Sequence, residues 1–206
     1  MTEINMTNGV KNVTRPRTES ALYAEPKISS MALKDSETVM DADGVAVRSV
    51  MEDEGALLWQ LARDSKGVDL NSPYAYMMTC RNFASTSVVA EVFGMPAGFV
   101  IGHRVPGRAN TLFVWQVAVL PEFRGLGIGR RLLEGLIERP GCAGVRKLEA
   151  TVTPSNSASK ALFDGFARSL GAMLKIQPGF GADDFPKDKQ CEAENLFTIE
   201  PIRAIA

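Results

Sequence analysis

A glycine-rich turn between an apolar run and an amphipathic stretch constrains the fold of this chain more than any other segment. Residues 112–120 read LFVWQVAVL, an almost continuously apolar sequence that is typical of a central strand covered on both faces. The turn RGLGIG follows at 124–129, and the residues after it predict a helix that ends at Pro140-Gly141. The first amides of a helix have no partner within it, so this segment predicts an anion-binding turn at the end of a buried strand.

The residues of the turn suit a phosphate ligand. Gly127 and Gly129 have no Cβ, so a ligand can approach the backbone closely. Arg124, Arg130 and Arg131 add positive charge near the helix N-terminus, whose dipole also favours anions. A pyrophosphate is therefore the ligand that this segment predicts.

Three phosphate-binding patterns compete for this segment. A Walker loop requires G-x-x-x-x-G-K-[ST], which the sequence lacks. A Rossmann turn requires G-x-G-x-x-G, but Arg130 stands at the place of the last glycine and several predicted strands precede the turn. The third pattern, [RQ]-x-x-G-x-[GA] after an apolar strand, is matched by Arg124, Gly127 and Gly129.

The rest of the chain predicts a sheet covered by helices. Apolar periodicity and turn residues predict further strands at 45–50, 87–93, 97–105, 146–152 and 195–202, and helices at 52–64, 74–83 and 154–170. The polar segment 177–189, which contains Gly and Pro, predicts a loop. Residues 1–43 show no sustained period, so we interpret them as a flexible N-terminal extension and residues 44–206 as one domain. The predicted fold class is α/β (α+β).

Composition argues against several classes of function. The chain has 23 Lys and Arg against 24 Asp and Glu, and a net charge of -1 does not suit a protein that binds nucleic acid. No apolar run approaches about 20 residues, so we expect no membrane span, and the N-terminus has no apolar signal region. Three cysteines and the single histidine His103 argue against a disulfide framework and a structural metal site, and favour a reducing cytoplasm.

The glycine turn and four other blocks of sequence together resemble one known family. The [RQ]-x-x-G-x-[GA] pattern is similar to that of the GNAT acyltransferases, which bind acetyl-CoA. The resemblance narrows to the L-2,4-diaminobutyrate acetyltransferases of ectoine biosynthesis through the blocks DLNSPYAY (69–76), LFVWQVAV (112–119), RGLGIGRRLL (124–133), LEATVTPSNSASKALF (148–163) and GADDFP (181–186). It implies a GNAT-like mixed, mostly antiparallel central sheet flanked by helices.

The same resemblance implies a site for acetyl-CoA as co-substrate, with no metal. The residues that it assigns to the coenzyme are Val117, Ala118, Val119, Arg124, Gly125, Gly127, Gly129, Arg130, Asn156 and Phe163. It also implies that a backbone amide near Val117 donates to the thioester oxygen as negative charge develops. Many relatives have a tyrosine at the position of Phe163 that can protonate the departing thiolate. Phe163 has no hydroxyl, so water or another group is the expected acid.

The implied reaction moves an acetyl group to the γ-amine of L-2,4-diaminobutyrate, giving the N4-acetyl product. Since this substrate carries two ammonium groups, acidic residues should bind it, and the resemblance points to Asp69 and Glu194. Either carboxylate could also accept the proton through water. Tyr74 and Trp115 are predicted to line the pocket, with Asp69, Trp115 and Glu194 as the catalytic residues. From pattern alone each has a simpler role: turn capping for Asp69, packing for Tyr74 and Trp115, and a solvated charge for Glu194.

The resemblance further implies a homodimer and a role in osmoprotection. The family often has a histidine near the position where this chain has Cys191, so any role of that histidine is lost or replaced. Two alternatives stay open at this point. One is a GNAT acetyltransferase of another small diamine or amino acid, and the other is a module that binds acyl-CoA without catalysis.

Overall fold

The computed structural model describes residues 40–188 and 190–202, which contain seven strands and four α-helices. The strands are β1 (Val45–Ser49), β2 (Ser87–Val92), β3 (Met95–Val105), β4 (Arg108–Val119), β5 (Lys147–Val152), β6 (Met173–Phe180) and β7 (Glu194–Glu200). The helices are α1 (Gly55–Ser65), α2 (Pro73–Phe83), α3 (Ile128–Ile137) and α4 (Ser157–Ser169). Of the predicted N-terminal extension, only residues 40–43 lie within the described part of the chain.

All seven strands form one sheet in the order β1-β2-β3-β4-β5-β7-β6. The pairing of β4 with β5 is parallel, and the other five pairings are antiparallel. This confirms the prediction of a mixed, mostly antiparallel sheet flanked by helices. It also confirms the order of a strand, the glycine turn, a helix and a further strand around residues 108–152.

A hydrophobic core lies on each face of the sheet. Side chains on β2 alternate between the two cores, since Val88 and Ala90 join one cluster and Val89 joins the other. The larger cluster contains the apolar faces of α3 and α4, and the smaller contains those of α1 and α2. The sheet therefore separates the α3–α4 layer, which follows the glycine turn, from the α1–α2 layer.

Local capping sets two of the helix boundaries as the sequence predicts. Ser72 caps α2 by accepting a hydrogen bond from the amide of Ala75 at 3.3 Å, and Pro73 occupies the first helical position. Gly171 follows α4 with a φ of 61°, a left-handed conformation that costs glycine little. These short-range signals fix where the chain enters α2 and leaves α4.

The predicted loop at 177–189 is wrong over its first four residues, because β6 extends to Phe180. This strand lies at the edge of the sheet, where Pro178 removes an N–H without breaking a central ladder. The register against β7 shifts between Pro178 and Phe180, and a Cβ on Gly179 would overlap the Glu194 carbonyl oxygen. The Pro-Gly pair that predicted a loop is thus accommodated in an edge strand with a bulge.

The sheet opens between β4 and β5. Only Thr111, Leu112 and Phe113 of β4 pair with β5, although β4 continues to Val119. The register of β4 against β3 shifts opposite Ile101 and Gly102, which is the mark of a β-bulge. Trp115 lies at this bulge with 45% of its surface exposed, so the expectation of a strand covered on both faces is wrong there. The open edge of β4 is the setting of the site.

Candidate functional site

The open edge of β4 presents backbone groups at alternate residues. The amide of Leu120, just after β4, donates to the Ala97 carbonyl at 2.9 Å and therefore points toward β3. Because successive residues of a strand point their N–H groups in opposite directions, those of Val119 and Val117 point toward the gap between β4 and β5. Ala118 then points toward β3, so only two of the three predicted residues present backbone groups to the gap.

The glycine turn after β4 has the open, left-handed geometry that close ligand approach requires. Gly125 and Gly127 both have a φ of 76°, and a Cβ at either position would meet no heavy atom within 4 Å. Gly127 is the N-cap of α3, and its carbonyl accepts from the amides of Arg130 and Arg131, both at 3.1 Å. The helix amides before Arg130 have no intrahelical acceptor, which leaves them available to an anion.

Gly129 lacks a Cβ for a different reason. A Cβ there would lie 3.2 Å from Leu162 Cδ1, so the glycine allows α3 and α4 to pack closely. The sequence assigned Gly127 and Gly129 one common role, ligand approach. The structure gives Gly127 open space and Gly129 a contact between α3 and α4, so the geometry fits ligand approach at Gly127 and helix packing at Gly129.

The three arginines near the turn are not equivalent. Arg124 donates from Nε to the Val119 carbonyl at 3.2 Å and from its other nitrogen to the Ser65 carbonyl, so it braces the end of β4 against α1. Arg131 pairs with Asp41, at 2.5 Å, and with Asp43. The Arg130 side chain is 54% exposed and lies 3.6 Å from Glu134. Of the two arginines assigned to the coenzyme, Arg124 thus binds backbone carbonyls, whereas Arg130 pairs with a neighbour on its own helix.

Asn156 and Phe163, the other predicted coenzyme residues, lie on α4. Asn156 caps this helix by accepting from the Ser159 amide at 2.9 Å. Phe163 is 3% exposed and packs against Phe197, with ring centroids 6.2 Å apart. Asn156 therefore sets where α4 begins, and Phe163 belongs to the core beneath the coenzyme side of the sheet.

On the opposite layer, the segment between α1 and α2 is fixed over β4 by hydrogen bonds. The Gln116 side chain donates from Nε2 to the Asp69 carbonyl at 2.8 Å. The Asn71 amide donates to the Tyr76 hydroxyl at 3.4 Å, and Tyr76 is itself fully buried. Sequence analysis missed Gln116, although it is the one polar residue in the run 112–120. Together these contacts place Asp69 beside the open edge of the sheet.

Glu194 lies across the gap at the start of β7. Burial raises the pKa of its carboxyl above the ordinary 4.5, and the nearby Asp69 and Glu192 carboxylates raise it further, while a hydrogen bond from Thr151 opposes this shift. Asp69 thus lies close enough to influence the Glu194 charge, although 125 residues separate them. The structure brings together the two acidic residues that the sequence proposed for the substrate.

Tyr74 and Trp115, the other two predicted substrate residues, lie at the surface. Trp115 adjoins Gln116 on β4, and Tyr74 lies in the first turn of α2, directly after the anchored loop. Both side chains are exposed. Neither is a core residue, so the simpler packing role does not apply to them.

The segment before β7 borders the same carboxylates. Glu192 accepts from the amide of Ser155 at 3.1 Å and also from its hydroxyl, which ties this segment to the loop before α4. Cys191 is exposed and lines a surface cavity together with Lys187 and Glu192. The Cys191 thiol is therefore accessible, three residues before Glu194.

Within residues 40–188 and 190–202, no group of three His, Cys, Asp or Glu side chains lies as metal ligands would. In the same part of the chain, no helix is both long and apolar enough to cross a membrane.

Comparison with known proteins identifies the family. The model of the acetyltransferase (GNAT) family matches residues 56–166. An L-2,4-diaminobutyric acid acetyltransferase of Nocardia farcinica is 43% identical over 187 residues, which cover 90% of this chain and 96% of that protein. The corresponding protein of Streptomyces coelicolor is 44% identical over 153 residues, or 73% of this chain and 89% of that one.

A solved structure agrees with this assignment. The diaminobutyrate acetyltransferase EctA from Paenibacillus lautus, in complex with L-2,4-diaminobutyric acid and coenzyme A, superposes with a TM-score of 0.73. It is 41% identical, and the match covers 79% of this chain and 98% of that one. The open β4 edge, the glycine turn and the paired carboxylates thus occur in a chain that belongs to the GNAT acetyltransferases and, within them, to the L-2,4-diaminobutyric acid acetyltransferase family.

Proposed function

We propose that this chain transfers an acetyl group from acetyl-CoA to the γ-amine of L-2,4-diaminobutyrate, giving the N4-acetyl product. The observation that carries the proposal is the likeness, at 41% identity over 98% of its length, to an enzyme solved with this amino acid and coenzyme A. The site geometry suits both ligands. The backbone groups of β4 and the glycine turn suit an extended phosphorylated thioester. They lie beside the carboxylates of Asp69 and Glu194, which suit a diamine.

The coenzyme binds along the open edge of β4. The N–H groups of Val117 and Val119 face the gap and extend the sheet by pairing with the pantetheine amides. At the end of the strand, Gly125 and Gly127 leave room for the pyrophosphate against the first amides of α3. Arg130 adds an exposed positive charge beside it.

The amine must lose a proton before it attacks. A γ-ammonium titrates near 10, so deprotonating it at pH 7 costs about 4 kcal/mol. Glu194 accepts this proton, directly or through water, because its raised pKa makes it a better base than an ordinary surface carboxylate. Asp69 binds the ammonium that does not react, and Trp115 and Tyr74 form the exposed wall of the pocket.

Charge on the thioester oxygen is stabilised by the backbone. The Val117 N–H faces the gap where the thioester lies, and one such donor is worth about 3 kcal/mol in the transition state. Phe163 is buried and has no hydroxyl. The proton that the attacking nitrogen loses as the amide forms therefore reaches the departing thiolate through water or another group. The residues of the chain therefore bind and orient the two substrates and deprotonate the amine, and they form no covalent intermediate.

The direct test is release of free thiol from acetyl-CoA with L-2,4-diaminobutyrate, using lysine, ornithine and no amine as controls. We expect release with diaminobutyrate well above the controls, and NMR of the product should place the acetyl group on the γ-nitrogen. Release with a different amine only would support the proposed coenzyme site and contradict diaminobutyrate as the substrate. Binding of coenzyme A without release from any amine would favour the non-catalytic module.

We also propose a homodimer, a cytoplasmic location and a role in osmoprotection. Met77 and Met78 are adjacent and exposed on α2, and they support the dimer because neighbouring exposed apolar side chains favour association. The three cysteines are all free thiols, which suits a reducing compartment. Light scattering of the purified protein tests the first proposal, since a mass near 22.3 kDa would contradict it.

A further inference from the structure

Gln116 has a side chain whose orientation is fixed. It is 7% exposed and lies on β4, one residue after Trp115 and one before Val117. Its Nε2 donates to the Asp69 carbonyl at 2.8 Å. A backbone carbonyl can only accept, so the amide nitrogen must face Asp69 and the amide oxygen must face away from that carbonyl.

The oxygen of this amide has no partner. Among the residues that the structure describes, Gln116 Oε1 is the one buried side-chain nitrogen or oxygen atom without a hydrogen bond. Native proteins satisfy nearly all such atoms, because a buried acceptor without a donor is unfavourable. The atom therefore marks a place that a hydrogen-bond donor occupies in the working protein.

The surroundings indicate which donor this is. Within one amide group the oxygen and nitrogen are a little over 2 Å apart, so Oε1 lies within about 5 Å of the Asp69 carbonyl oxygen. Asp69 also bears the carboxylate that acts on Glu194. A donor that suits both an amide oxygen and a carboxylate is a cationic N–H group, and an ammonium has three such donors.

We propose that Gln116 Oε1 accepts a hydrogen bond from the α-ammonium of the diamino acid, which Asp69 binds at the same time. This inference rests on the proposed function and explains its regiochemistry. The α-amine is the less basic of the two, with a pKa near 8, and would otherwise be neutral more often than the γ-amine. Hydrogen bonds to two acceptors keep the α-amine protonated and fixed in place, so it cannot attack the thioester. Glu194 meanwhile deprotonates the γ-amine.

The test compares two substrate analogues as competitive inhibitors of the wild type and of Gln116→Met. 2-Aminobutyrate keeps only the α-amine, and 4-aminobutyrate keeps only the γ-amine. Methionine has nearly the shape of glutamine but lacks both amide contacts. We expect Gln116→Met to raise the inhibition constant of 2-aminobutyrate roughly 10- to 100-fold. The inhibition constant of 4-aminobutyrate should stay within about twofold of the wild-type value.

Tyr76→Phe is the matched control, because it removes the other anchor of the Asp69 loop without touching the amide. This variant should weaken the binding of both analogues by the same small factor. The same equal weakening in Gln116→Met would show that Gln116 only braces the loop, and this would overturn the proposal. Selective weakening of 4-aminobutyrate would also overturn it, since Oε1 would then contact the γ-amine.

A measurement on the unmodified protein covers the case in which Gln116→Met does not fold. With glutamine labelled at its side-chain carbonyl carbon, the Gln116 signal should shift with 2-aminobutyrate and stay in place with 4-aminobutyrate. Equal shifts, or none, would contradict the proposal. Failure of wild-type turnover with diaminobutyrate is a separate result, which would refute the proposed function rather than the role of Gln116.

Discussion

The two halves of the site share β4 but are built differently. On the proposed coenzyme side, backbone groups form the surface: the N–H groups of Val117 and Val119, the turn at Gly125 and Gly127, and the first amides of α3. On the amine side, side chains form it, and they come from segments far apart in sequence. We infer that the ligand common to a large family is bound by backbone geometry, whereas the particular amine requires specific side chains.

This difference predicts different tolerance to mutation. A side chain changed on the coenzyme side should matter little unless it alters the backbone. On the amine side, changing one carboxylate should have a large effect. Three substitutions test this contrast, from the largest expected effect to the smallest.

Glu194→Gln should lower kcat by about 10²- to 10⁴-fold at neutral pH, the range expected for loss of a general base. The KM for acetyl-CoA should stay within about twofold of the wild type, because the backbone groups of β4 and the glycine turn are unchanged. Steady-state kinetics with each substrate varied in turn provides the measurement. A full-rate Glu194→Gln enzyme would assign the base to another group.

The same variant has a pH signature. In the wild type, kcat/KM should rise with pH through the raised pKa of Glu194, and this limb should be absent from Glu194→Gln. Since the folded pKa is raised above 4.5, ionised Glu194 disfavours the folded state, and this loss of stability develops as pH rises from 4.5 through the folded pKa. Glu194→Gln should therefore melt slightly higher than the wild type at pH 7 and equally below pH 4.

Gly127→Val should raise the KM for acetyl-CoA roughly tenfold or more and leave the KM for the amine unchanged at saturating coenzyme. A β-branched residue at a φ of 76° is strained by about 1–3 kcal/mol and narrows the turn. Gly165→Ala is the matched control, because Gly165 lies within α4 and a Cβ there meets open space. That change should stabilise the protein by about 0.5–1 kcal/mol with unaltered kinetics. An equal rise of the KM for acetyl-CoA in both variants would show that the backbone conformation at Gly127 is not the cause.

Arg130→Ala should raise the KM for acetyl-CoA by no more than about fivefold, and the effect should shrink further in high salt. The Arg130 side chain is 54% exposed and already lies 3.6 Å from Glu134, and exposed ion pairs are worth about 0.2–1 kcal/mol. A loss well above tenfold would mean that side-chain charge, rather than the turn, binds the coenzyme. Kinetics at two ionic strengths distinguishes these outcomes.

The contrast also explains how much could be predicted from sequence. The glycine turn spans six consecutive residues, and its backbone requirements limit which residues can stand there, so the sequence predicts it directly. The order of elements around β4 and the caps at Ser72 and Gly171 were predictable for the same reason. Each of these features depends on neighbours along the chain.

The amine side could not be worked out from local pattern. Asp69 and Glu194 came from family resemblance, and only the fold explains why they meet. Gln116 was missed because a single polar residue in an apolar strand has no local signature of its partner, which is 47 residues away. The edge strand β6 was missed because Pro178 and Gly179 predict a loop unless the position at the sheet edge is known.

The Arg124 hydrogen bonds connect the two halves of the site and so couple the binding free energies of the two substrates. One guanidinium donates to the carbonyl of Val119, beside the proposed coenzyme site, and to that of Ser65, where the chain leaves α1 toward Asp69. A substrate that tightens either end of this brace lowers the entropy cost of binding the other substrate. Thermodynamic reciprocity then requires the same factor in both directions, so we expect positive heterotropic coupling between thioester and amine.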